Sequence, residues 1–483
     1  PGSPFEAPQE DEPGSPFEAP EEQEPGSPFE APQEEPGSPF DQPGQEPGSP
    51  FEGPGPDAVD DPFARPQATP APQETPQVSL PRPAPGGRAS LGRPVLRYDD
   101  PRLRRLAEIR GLRVLATSEG YQNPVQLEQL VKDFQDGDFN RVYPEVRTVN
   151  GVAYLSELEP ILPFVTITYS NPIKDLNDEL GEFASVIAVV NMLPAHNATL
   201  GSRPPADNPI SRFPEFTNRT LDGDEVAPDN YYYLDPGSPL VRQYLSAVLF
   251  EIESKIQPTG YLFTGLQYPG KEWGYSEDAV EEFREEVGGE GNPPPDDPIW
   301  SAWRRRQLTE TLVAMRETLD LVRPGIPMSV MINVDGPPPE TWQEWTSSEI
   351  YAENMQDWIG WCEEGIINEI VFKIHERVTP QENLLQRWVP FINSNVGQVR
   401  PVVSLSGELN FRSQLRNQFQ FVRERAIGTI LYHYSDPSKD FSRGFFASLK
   451  DTLFRGTPAR PIAGREISGP EEQRSWAYLV TPP

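Results

Sequence analysis

Short apolar runs alternate with longer amphipathic stretches through most of the chain. The first run is 112–117. Asn123 then stands where a helix cap is expected, with Pro124 in the first turn. Leu127, Leu130, Val131 and Phe134 follow at the i, i+3, i+4, i+7 spacing of one helical face. Runs at 139–146, 185–193, 260–264, 328–334, 370–374, 399–405 and 428–432 predict seven further strands. Helices are predicted at about 172–183, from Pro239 behind a Ser238 cap, and at about 298–322, 351–364, 380–393, 411–426 and 442–454. Residues 150–170 read as irregular, with a short strand at 164–169, and long loops are expected at 194–237 and 267–297.

Eight strand–helix units imply a parallel sheet, and eight is the number that closes a (β/α)8 TIM-type barrel. The alternative is an open doubly wound sheet. No Gly-rich phosphate turn follows any of the runs, which disfavours a dinucleotide-binding version of it.

The N-terminal region has another character. Residues 1–55 carry five copies of a PGSPF unit, starting at Pro1, Pro13, Pro25, Pro36 and Pro47. One Phe per unit cannot offset chain entropy, and the prolines and glutamates favour an extended, disordered tail. Such a tail reads either as a solvated spacer or as a multivalent ligand whose repeated Phe motifs recruit a protein partner. The expected organisation is repeats at 1–55, a Pro-rich linker at 56–95, the barrel at 96–460 and a C-terminal extension at 461–483.

Charge narrows the function. The formal charge is −33, and residues 1–64 hold 17 acidic side chains and no basic one. The remainder is still acidic, with 57 acidic and 41 basic side chains. A nucleic-acid partner, which needs a basic face, is not expected. The single cysteine, Cys362, excludes an intramolecular disulfide and any cysteine-rich metal site. No apolar run approaches the roughly 20 residues of a membrane span. The chain begins at Pro1 rather than Met, and the expectation is an extracytoplasmic protein, secreted or in the cell envelope, whose leader has been removed.

Barrel active sites are built where the strands run into their βα loops. Those ends supply Glu119; Glu145 and Arg147; Asn191 and His196; Thr264, Tyr268 and Trp273; Asn333 and Asp335; Lys373, His375 and Glu376; Ser404, Ser406 and Glu408; and Tyr432, His433 and Tyr434. All three histidines of the chain fall in this set. A three-histidine metal site is conceivable, but none has the close spacing of metal motifs, and no metal or other cofactor is expected. Aromatic faces beside convergent donors and carboxylates suit a sugar ring. The same aromatics could simply pack the barrel mouth. The expected glycan contacts are Glu119, Arg147, Asn191, His196, Tyr268, Trp273, Lys373, His375 and His433. Glycoside hydrolysis requires two carboxyls about 5–10 Å apart. Glu119, Glu145, Asp335, Glu376 and Glu408 are candidates, with Asp335 and Glu408 the preferred catalytic pair.

Several segments carry a likeness to a known family. Tyr231-Tyr-Tyr-Leu-Asp-Pro-Gly-Ser-Pro-Leu-Val-Arg-Gln-Tyr244 resembles the Y-L-N-P-G-x-P-x-V-R-x-Y segment of the bacterial glycosyl-hydrolase-like family 10 barrels. The segments 140–147, 154–160, 358–365 and 367–374 are similar to that family's second- and sixth-strand regions, so the likeness runs from about 111 to 454. It implies the barrel fold and a polysaccharide ligand. It does not supply catalytic residues. Thr259, Thr264 and Gly265 stand where the family's fourth strand is acidic, and Asn368, Lys373 and His375 replace its Asp, Gln and Tyr on the sixth. Threonine cannot act as a carboxylate acid, base or nucleophile. A catalytically degenerate, polysaccharide-binding barrel is therefore expected. The alternatives are a hydrolase with relocated carboxylates and a scaffold that recruits partners through its Phe repeats.

Overall fold

The computed structural model describes residues 108–452 and 454, apart from 181–183, 202, 380–382, 426 and 443. The tail, the linker and the C-terminal extension lie outside the described residues.

The strands are β1 (Arg110–Val114), β2 (Arg141–Thr148), β3 (Gly151–Val152), β4 (Ser185–Asn191), β5 (Pro194–Asn197), β6 (Tyr231–Tyr233), β7 (Gly260–Thr264), β8 (Met328–Asn333), β9 (Glu369–Ile374), β10 (Arg400–Ser406) and β11 (Gly428–Tyr432). Eight of them are parallel and run in the order β1-β11-β10-β9-β8-β7-β4-β2. Pairing of β1 with β2 closes the circle. This is the (β/α)8 barrel. Gly111 makes the closure possible: a Cβ there would lie 2.7 Å from the Tyr143 ring and 2.9 Å from Ile430.

The principal helices are α1 (Pro124–Asp136), α2 (Pro172–Leu180), α3 (Pro239–Ile256), α4 (Glu277–Val287), α5 (Pro298–Val322), α6 (Trp358–Glu363), α7 (Leu384–Asn395), α8 (Arg412–Arg423) and α9 (Phe445–Thr452). Their starts follow the local chemistry. The Asn123 side chain accepts from the Gln126 N–H, Pro124 opens α1, and Leu127, Leu130 and Phe134 are buried. In the strands, alternate residues such as Leu112, Val114, Val142, Val186, Ala188, Phe263, Phe372 and Val403 join the large core beneath the helices.

The structure differs from the sequence expectations in four places. The segment 164–169 makes no strand. It turns back on itself, with Thr166 and Tyr169 exchanging backbone hydrogen bonds, and Ile167 is 90 % exposed. The alternating pattern there has no neighbouring strand to pair with. The helix expected from 351 starts at Trp358, because Met355 adopts a left-handed φ of 60° that breaks the chain after a wide turn at Glu349–Glu353. The loop after β4 contains an antiparallel ribbon of β5 and β6. The loop after β7 contains α4, capped by Ser276. Helix α4 and the start of α5 bury Tyr275, Ala279, Val280, Phe283, Trp300 and Trp303 in a small core separate from the main one, with the Trp300 and Trp303 rings stacked at 5.0 Å.

Candidate functional site

The barrel interior is layered. Ile109, Tyr143, Ile187, Val189, Leu262, Val371, Val402 and Ile430 form an apolar plug of their own, with Met331 packed against it. Below the plug, at the start of the strands, lies a buried ionic cluster. Arg141 donates to both Glu369 oxygens, at 2.6 and 3.1 Å, and to the Tyr143 hydroxyl at 3.4 Å. Arg400 stands 3.7 Å from the same carboxylate. Burial alone would raise the Glu369 pKa, but the two guanidiniums hold it below the usual carboxylate range.

Above the plug the same faces continue with a period of two. They present Arg113, Glu145, Asn191, Thr264, Asn333, Lys373, Ser404 and Tyr432, and one step further His375 and Ser406. Register agrees: Asn191 pairs with Thr264, Asn333 with Lys373, Lys373 with Ser404, and Ser406 with Tyr432. These residues floor the bowl formed by the βα loops. Arg113 donates to Glu145 at 2.7 Å, and the other Glu145 oxygen accepts from the Ala116 N–H at 3.0 Å. Asn333 donates to Gln267 at 3.2 Å. His375 Nε2 shares a hydrogen bond with Ser404 Oγ at 3.0 Å, and its ring lies 4.5 Å from that of Tyr432. His433 Nδ1 bonds to Ser435 Oγ at 2.9 Å, and its Nε2 is 3.7 Å from Glu408.

The electrostatics of this floor follow from burial. Desolvation lowers the Lys373 pKa; Asp335 and Glu408 oppose the shift and Arg113 adds to it. Desolvation pushes His375 down to about 3, with Lys373 and Arg113 adding to the effect, so its imidazole is neutral. His433 is lowered by desolvation against the pull of Glu408, and burial raises Tyr432.

The structure brings Lys373, His375, His433 and Glu408 together and leaves Asp335 exposed on the loop after β8, within the field of Lys373. Other expected contacts are elsewhere. Arg147 does not reach the bowl. A bulge in β2 between Glu145 and Arg147 pairs Arg147 with Val190, whose side chain belongs to the outer core, and so turns Arg147 outward. There it bonds Glu159 at 2.7 Å, which also accepts from Tyr244 at 2.8 Å. Tyr268 and Trp273 are 0 % and 4 % exposed and offer no stacking face. Arg304 explains why: it lies 5.9 Å from the Tyr268 ring and donates to the Trp273 carbonyl, drawing the chain after β7 into the protein. His196 is buried in β5, bonded to the Gly201 carbonyl at 3.0 Å. Asn191 stays on the floor but commits its amide N–H to its own loop, donating to the Pro194 carbonyl at 2.7 Å. Glu119 is exposed. Glu376 serves the start of α7, accepting from Leu384 and Leu385 N–H at 2.7 and 3.0 Å.

Arg113 is the residue of the bowl floor that sequence reading passes over. The signal was available, since Ile109, Gly111 and Arg113 alternate with the outward Leu112 and Val114. Among the described residues no group of three or more His, Cys, Asp or Glu side chains is placed to hold a metal ion.

A family model described as glycosyl hydrolase-like 10 matches residues 108–411. The chain belongs to this family. Among solved structures, it is similar to the PgaB (BpsB) glycoside hydrolase domain from Bordetella bronchiseptica. That domain is 16 % identical with a TM-score of 0.53, the match covering 72 % of this chain and 99 % of that one. It is also similar to a β-galactosidase from Rahnella sp. R3, at 12 % identity and a TM-score of 0.50, covering 76 % and 58 % of the two chains. Both likenesses are of fold. No curated protein matches the chain. Family members are glycosyl-hydrolase-like barrels, and among the described residues no helix is long and apolar enough to cross a membrane.

Proposed function

We propose that this glycosyl hydrolase-like 10 protein binds polysaccharide in its bowl, outside the cytoplasm, without cleaving it. The observation that carries the reading is the neutrality of the floor over three consecutive barrel strands: β4, β7 and β8 end in Asn191, Thr264 and Asn333. Hydrolysis asks for two free carboxyls across the scissile bond, one to donate a proton and one to attack or to activate water. Glu145 is committed to Arg113 and to a backbone N–H. Glu408 faces His433, and Asp335 is exposed. Polar hydrogen-bonding groups remain in number, as a sugar-binding surface requires.

A glycan array run beside a reducing-sugar release assay tests this. The expected result is retention on at least one polysaccharide with no release of reducing ends. Turnover by the wild type that disappears in Asp335→Asn or Glu408→Gln would make the protein a hydrolase, since losing an acid or base removes about 10²–10⁴ in rate.

A further inference from the structure

We propose that Lys373 and Arg113 bind a carboxylate, so that the polysaccharide recognised by this barrel carries uronic acid. The inference rests on the glycan-binding reading above and adds the charge class of the ligand.

The argument begins with unmatched polar groups. Lys373 stands between Asn333 and Ser404 on the inner face, half-buried, and among the described residues no hydrogen bond or ion pair reaches its ammonium. Arg113 is 5 % exposed. It gives Nη2 to Glu145, while its Nε and Nη1 have no partner. Ser406, 1 % exposed and on the same inner face of β10, also has an unpartnered hydroxyl. A desolvated cation without a counter-ion is costly, and an anion supplied from outside relieves that cost.

The surrounding charges limit what that anion can be. Glu145 already neutralises Arg113, Glu408 sits beside His433, and Asp335 is out in solvent. Asp335 and Glu408 act on Lys373 only from a distance, so among the described residues its ammonium has no direct contact with a carboxylate, and one anionic group could take that place. A carboxylate offers two oxygens, enough to accept from the ammonium and from a guanidinium N–H or the Ser406 hydroxyl. His375 stays neutral and adds a hydrogen-bonding group without further charge. The formal charge of −33 repels polyanions in general, so their attraction must come from this local floor.

The test is calorimetric titration of the full chain with tetrasaccharides of glucuronate, galacturonate and mannuronate, each beside its carboxyl-reduced, neutral counterpart. At least one acidic tetramer should bind, and its reduced form should bind about tenfold or more weakly, as expected for losing a hydrogen bond to a charged group. Lys373→Met should bring the acidic tetramer down to the level of the neutral one, and Lys373→Arg should restore the preference. If Lys373→Met does not fold, Ser406→Ala should still lower the acidic affinity selectively. Reduced tetramers that bind as well as the acidic ones would overturn the carboxylate assignment and leave the glycan reading standing. Failure of every tetramer, acidic and neutral, would overturn both.

Discussion

The two ends of the barrel interior use the same residue types for opposite purposes. Below the apolar plug, Arg141 and Arg400 converge on Glu369, and the Arg141 guanidinium grips both carboxylate oxygens. Above it, among the described residues, no ion pair or hydrogen bond reaches the Lys373 ammonium and Arg113 keeps two unpartnered nitrogens. Pleat and parity are alike at the two ends. The difference lies in whether each charge meets its complement within the chain. A matched buried cluster holds strands in place; an unmatched one keeps hydrogen-bonding capacity that no described side chain takes up. The contrast also shows that a charged residue inside a barrel is not by itself a sign of a site.

The comparison breaks most visibly at Glu369. Glu369→Ala leaves two guanidiniums buried without their carboxylate and should cost about 3–5 kcal/mol, read as a fall in the urea midpoint. A loss under about 1 kcal/mol would mean that the lower cluster is as dispensable as the upper one.

A smaller effect is expected from pH. His375 has a pKa of about 3 in the fold against 6.5 unperturbed. Between these values the unfolded chain binds a proton that the folded chain does not, so stability is present above the upper value and is lost on acidification towards the lower. His375→Gln should therefore shrink the drop in urea midpoint between about pH 7 and about pH 4. An unchanged drop would show that the imidazole titrates freely.

The smallest effect sharpens the contrast. Lys373→Met removes a charge that has no partner, so stability should change by less than about 1 kcal/mol or rise slightly, by thermal or urea melting. A loss beyond about 2 kcal/mol would show that Lys373 is paired within the fold, like Arg141.

The barrel was legible because its strands announce themselves twice, by apolar runs and by their spacing. The run at 260–264 and the helix at 298–322 coincide with β7 and α5. Site residues were harder to read, because a strand end says which residues are near the bowl but not which way they face. Lys373 and His375 keep the inward parity of Val371. Arg147 loses its parity to a bulge, which depends on pairing with β4 and leaves no mark in composition. Tyr268 and Trp273 were misread because the residue that draws their segment inward, Arg304, lies some thirty positions downstream. The short ribbon and α4 were hidden in loops rich in Pro, Gly and polar residues.

The small second core beneath α4 bears on how the loop after β7 is held. Tyr275, Phe283, Trp300 and Trp303 pack on one another apart from the main core. Among the links between this segment and its surroundings is the Asp235 carboxylate, which accepts from Gly237 and Ser276 N–H at 2.9 and 3.1 Å. Regions with their own small core open at lower free energy than the body they sit on. The amides of α4 are therefore expected to exchange with solvent ahead of those of the barrel strands, as hydrogen exchange would read.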